Sequence, residues 1–67
     1  MQYEIKISKR VRNKILSGKQ TFTVNEIKKK DYPTGSIVKL VYNKEFVAWG
    51  TINPKNPKRY IRIISLD

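Results

Sequence analysis

The chain has 67 residues, of which fifteen are Lys or Arg and five are Asp or Glu, giving a formal charge of +10. A chain this short has room for one domain, residues 1–67, and buries only about 60% of the surface its unfolded form exposes, so nearly every large apolar side chain is needed inside. Cysteine and histidine are both absent, which excludes disulfides, zinc fingers and iron–sulfur clusters as staples, and triads and thiols as nucleophiles.

In chain order, "YEIKI" alternates apolar Tyr3, Ile5 and Ile7 with charged Glu4 and Lys6, the period of a strand with one face in the core. Ser8 is a good N-cap for a short helix that brings Val11, Ile15 and Leu16 towards one side and ends at Gly18. Arg10 and Lys14 then stand four residues apart on its outward face, a like-charge pair that an anion would relieve. Arg12 falls inside the apolar arc, where its stem can follow the core while its head reaches the rim.

"TFTV" reads as a second strand with Phe22 and Val24 inward, and "NEIKKKDYPTG" as a charged turn or single helical turn ending at Pro33 and Gly35. "SIVKLVY" and "EFVAWGTI" are rich in β-branched and aromatic residues and are separated only by "NK", so they should pair as a hairpin. Asn43 tolerates positive φ and Lys44 is less suited to it, which predicts a connection longer than two residues. Alternation puts Phe46, Ala48 and Gly50 on one face of the fourth strand and Val47, Trp49 and Thr51 on the other. Trp49 is expected to fill the core. "YIRIISL" is apolar on both faces apart from Arg62 and Ser65, which predicts a last strand largely covered on both sides. Five short strands and one early helix suggest a mainly β fold, a small, mostly antiparallel pseudobarrel of five to six strands.

The acids are Glu4, Glu26, Asp31, Glu45 and Asp67, scattered without the spacing of a carboxylate pair or a metal site, and no glycine-rich phosphate loop is present. Neither catalysis nor a cofactor is expected. The excess of cations points instead to a polyanion, RNA or duplex DNA, because like charges on so small a body repel until a partner neutralises them. A membrane partner would need an amphipathic helix with bulky apolar residues opposite a basic face, and the one candidate helix is too short. No stretch resembles a secretory signal, so a cytoplasmic location is expected.

"INPKNPKRYIRI" carries the densest set of candidates. Pro54 and Pro57 restrict the loop through their fixed φ angles, so Lys55, Lys58 and Arg59 lose less freedom on binding, and Asn53 and Asn56 add amides. A plain turn is the competing explanation, since Asn-Pro commonly starts one. Lys28, Lys29 and Lys30 form a basic cluster that reads first as a solvated turn, with a weak phosphate contact at Lys29 behind it. Arg62 is the sole charge within the last strand and suits either an ion pair with Glu26 or an RNA contact. An exposed Trp49 among cations would favour wedging into duplex DNA, and a buried one RNA binding through helix and loop. A protein adaptor for acidic partners is a third reading.

"SGKQTFTVNEI", "TGSIVKLV", "FVAWGTINPKN" and "IRIISLD" follow the order and approximate spacing of a PUA-like domain. The sequence from about residue 9 to 67 resembles the domain that opens a family of class I SAM-dependent rRNA methyltransferases. Asn25-Glu26-Ile27, Gly35, Gly50, Asn53-Pro54 and Arg62-Ile63-Ile64 carry the likeness. The family's His-Pro-Trp is Lys19-Gln20-Thr21 here and the Ser of its Asn-Pro-x-Ser is Asn56, so those roles do not carry over. The family's catalytic cysteines and SAM-binding fold would lie beyond Asp67, so the resemblance implies an RNA-binding fold without methyl transfer, standing alone or as a detached piece, with service as an adaptor for an RNA-modifying enzyme as one role. Taken with the residue chemistry, it selects Arg10, Lys14, Lys19, Asn53, Lys55, Lys58 and Arg59 as RNA contacts, with Arg12, Lys29, Trp49 and Arg62 behind them.

Overall fold

A computed structural model describes residues 2–66, which leaves Asp67 of the last motif outside the described residues. Strand β1 (Gln2–Lys6) leads into helix α1 (Lys9–Leu16), then β2 (Thr21–Phe22), β3 (Ile37–Tyr42), β4 (Glu45–Ile52) and β5 (Ile61–Ser65), with one 3-10 turn at Pro57–Arg59 before β5. The strands form one sheet in the order β1-β3-β4-β5-β2. β1 runs parallel to β3, and the other three pairings are antiparallel. The chain is therefore mainly β with one helix, as expected.

Local chemistry sets the helix ends. Ser8 Oγ accepts the Val11 N–H at 3.2 Å, a cap whose loss typically costs about 1 kcal/mol. At the other end Gly18 takes φ 107°, which lets the Lys19 N–H reach the Lys14 carbonyl at 2.9 Å and the Gly18 N–H reach Ile15 at 3.1 Å. That pair of bonds is a Schellman stop. Val11 and Ile15 face the core, but Leu16 is 55% exposed and does not join them.

The inner face of the sheet is built from Ile5, Val38, Leu40, Ala48, Ile52, Ile61 and Phe22, which pack with α1, Ile7, Ile27 and Tyr60 into one cluster. Tyr3 covers its edge and stacks on Tyr32 with ring centroids 4.6 Å apart. Gly50 belongs to this face by necessity: a Cβ there would lie 3.1 Å from Ile61 Cγ2 and 3.2 Å from the Arg62 carbonyl oxygen.

Two irregularities in the ladder overturn the simple alternation. Val41 pairs with Phe46 while Leu40 pairs with Ala48, so Val47 is an extra residue on β4. It turns into the core beside Ala48 and sends Phe46 to the opposite face. Trp49 pairs with Ser65 while Gly50 pairs with Ile63, so Ile64 is extra on β5. Trp49 is consequently half-buried on the outer face, opposite Lys39, and is no part of the core cluster. The expectation that it fills the core is wrong, because Ala48, Gly50 and Ile52 occupy the inward positions of β4. β5 is likewise not covered on both sides: Arg62 and Ile64 are exposed. The β3–β4 connection is two residues after all, with Asn43 at φ 51° and Lys44 at φ 67°, the primed turn that matches strand twist.

Candidate nucleic-acid interface

The proline corner is held at both ends by the backbone. The Asn53 N–H donates to the Tyr60 carbonyl at 2.8 Å, the Asn56 N–H to Asn53 at 3.2 Å, the Arg59 N–H to Asn56 at 3.1 Å, and the Val24 N–H to Pro57 at 3.0 Å. Asn53 Oδ1 accepts the Lys55 N–H at 3.2 Å, so its amide oxygen shapes the turn. Tyr60, fully buried, ties the corner to the lysine run: its hydroxyl donates to the Lys30 carbonyl at 3.2 Å and accepts the Lys30 N–H at 3.1 Å. Lys55, Lys58 and Arg59 project from this frame into solvent. Lys29 is exposed beside Lys30 in the same charged segment.

The corner overlooks the end of the sheet. Arg62 pairs in register with Thr51 on one side and Thr21 on the other, placing three polar residues in a row across β4, β5 and β2. With Arg59, Asn53, Asn56 and Thr34 they line a cleft of about 410 Å³ that contains two arginines and no carboxylate. Arg62 and Glu26 are not partners. Thr21 and Thr51 escaped the sequence reading because threonine in a strand is ordinary, and only the register sets these two beside Arg62; Thr34 joins the lining from the turn before β3.

The helix cations stand differently. Glu26 takes Lys14 Nζ at 3.0 Å and Lys19 Nζ at 2.9 Å, the ion pairs among the described residues. It also accepts the Thr23 N–H at 3.1 Å while its own N–H donates to Thr23 Oγ1 at 3.3 Å, a reciprocal box that opens the turn after β2. The Thr-x-x-Glu spacing was the missed signal. Burial alone would raise the Glu26 carboxyl, but hydrogen bonds from Lys19, Lys14 and Thr23 and the charge of Lys14 outweigh it and lower the pKa to about 2. The anion that relieves crowding on the helix is thus the chain's own. Lys19 Nζ also sits 5.1 Å from the centre of the Phe22 ring. Arg12 lies over the Tyr42 ring at 5.7 Å and donates to Asn13 Oδ1 at 2.8 Å. Arg10 is exposed on α1.

β2 brings the helix exit to the corner: the Ile63 N–H donates to the Gln20 carbonyl at 2.8 Å, one residue before Thr21 pairs with Arg62. The proximity of helix exit, Arg62 and corner is a product of this pairing. Among the described residues no helix is long and apolar enough to cross a membrane.

A family model described as a PUA-like domain matches residues 5–65, in agreement with the resemblance carried by Asn25-Glu26-Ile27 and Asn53-Pro54. No curated protein and no solved structure gives a significant match. The chain belongs to the PUA-like domain family.

Proposed function

We propose that this PUA-like domain binds folded RNA through the proline corner and the cleft beside it, and performs no chemistry of its own. Arg59 and Arg62 hold phosphate in the cleft they line, Lys55 and Lys58 extend the contact along the corner, and Arg10 adds charge from α1. Threonine hydroxyls and the Asn56 amide complete the donor set for phosphate or ribose oxygens. Lys14 and Lys19 serve mainly through Glu26, as structural cations. The observation that carries this reading is the carboxylate-free cleft lined by two arginines, on a frame whose backbone hydrogen bonds limit the ordering entropy lost on binding. An RNA-modifying enzyme is the partner class that such a module would serve.

A second reading, coating of duplex DNA, draws on Trp49, which stands on the outer face opposite Lys39 and could serve as a minor-groove wedge. Competitive titration with folded tRNA, single-stranded RNA and duplex DNA at two salt concentrations separates the two. Tighter binding to tRNA, with a log–log salt slope of about −3 to −6 from counterion release, is expected. Preference for duplex DNA would select the second reading, and equal weak affinity for all three would defeat both.

A further inference from the structure

We infer that the outer face of the sheet is a track for an unpaired stretch of RNA, with a base against Phe46 and Trp49 and the neighbouring phosphates on Lys6, Lys39 and Lys44. This rests on the RNA reading above and names the element of the folded RNA, an unpaired stretch, that this face takes.

Five observations converge. The extra residue Val47 turns Phe46 outward beside Trp49, ring centroids 5.5 Å apart and planes tilted by 54°. Phe46 remains 37% exposed. Beside it is a notch of about 430 Å³ whose walls include Phe46 and Tyr42 and whose rim carries Lys6, Lys39 and Lys44 against the single acid Glu4. Val41 also lines the notch and is buried without belonging to the core cluster, so it supplies an apolar floor on the outer side. Lys44, at φ 67°, occupies a turn position that favours glycine, and that strained residue puts a cation on the rim.

The register joins this notch to the arginine cleft. Lys6, Val41 and Phe46 lie in one cross-strand row, Glu4, Lys39, Trp49 and Ser65 in the next, and Ile37, Thr51 and Arg62 in the third. Four residues of β3 separate the outer rows, about 13 Å at roughly 3.3 Å per residue, which a short single strand can bridge. An unpaired base offers a free π-face to a recessed aromatic side chain, whereas bases in a duplex are stacked on each other. Phe46 at the wall of a concavity and a half-buried Trp49 suit the former and make a poor wedge for the latter.

Trp49 is the only tryptophan, so its fluorescence reports on this face directly. Titration with an eight-nucleotide single-stranded RNA should quench it saturably, while an abasic oligomer with the same number of phosphates should bind more weakly and leave it unquenched. Phe46→Ala should weaken binding of the single strand about tenfold, the usual scale for losing a stacked base. Lys39→Ala, an exchange that leaves the aromatic pair in place, should weaken it less and lower the salt slope by about 0.7. Binding of the single strand without a change in Trp49 emission, or equal quenching by duplex DNA, would overturn the track. If tRNA binding survives Phe46→Ala but is lost in Arg59→Ala with Arg62→Ala, the track falls and the RNA reading stands. Absence of binding to any RNA would defeat both.

Discussion

Lys19 donates through Nζ to both carboxylate oxygens of Glu26, at 3.1 and 2.9 Å, from the position just after the glycine that ends α1. Lys14 reaches the same carboxylate from one turn earlier. One partly buried acid thus neutralises the exit of a helix that has no acidic residue in its first turn and a lysine in its last, and it ties that exit to the turn after β2.

The low pKa of Glu26 makes part of the stability pH-dependent. Its carboxyl is held at about 2 instead of 4.5, so its contribution is complete above the unfolded value and is lost as pH falls from about 4.5 through about 2. Lys14 and Lys19 are 35% and 41% exposed, so solvent screening keeps the contribution small, about 1 kcal/mol at neutral pH. Thermal melts of the wild type and Glu26→Gln should differ by that amount at pH 7 and converge near pH 2. A constant difference would show that the carboxylate charge is not what stabilises the turn.

The same variant has a second consequence. Glu26→Gln removes one negative charge and releases two lysines, so the destabilised protein should bind RNA more tightly, with a salt slope steeper by about 1. Isothermal titration well below the melting point checks this. Weaker binding would mean that the ion pairs hold Lys19 in its RNA-contacting position.

The cleft is tested at its two arginines. Arg59 and Arg62 have exposed side chains and no acidic partner among the described residues, so replacing either with alanine should leave the melting temperature nearly unchanged. Each should reduce the salt slope for tRNA by about 1, as expected for one lost phosphate contact. Lys58→Ala combined with Arg59→Ala should likewise spare the melting temperature and reduce the slope by about 2. A large fall in melting temperature would reassign these residues to the fold.

Tyr60→Phe isolates the tether of the corner. It keeps the buried ring but removes both hydrogen bonds to Lys30. Stability should fall by about 1 kcal/mol, and amide exchange at Lys30 should accelerate. Unchanged exchange would mean that the lysine run is held by other contacts.

Gly50→Ala tests the tightest approach within the sheet. The added methyl would crowd Ile61 and the Arg62 carbonyl, and overpacking of this kind costs about 1–3 kcal/mol. Chemical denaturation should show a lower midpoint with an unchanged slope. A neutral result would mean that β4 and β5 separate easily, and would weaken the case for a rigid cleft at Arg62.

Much of the architecture was legible locally. The Ser8 cap and Gly18 stop, the strand alternation around Ile5, the pairing of the two β-rich segments and the predominance of cations all rest on forces acting within a few residues, and the sequence carries them openly. The orientation of Trp49, the exposure of Phe46 and the gathering of Arg62 with Thr21 and Thr51 were decided by the folded sheet. A single extra residue reverses which side of a strand faces the core, and where it falls depends on the partner strand. Glu26 is twelve residues from Lys14 and seven from Lys19, so their shared pairing arises only once α1 and the turn after β2 have packed. Periodicity along one segment records its own pleat, whereas the site is made of neighbours supplied by other segments.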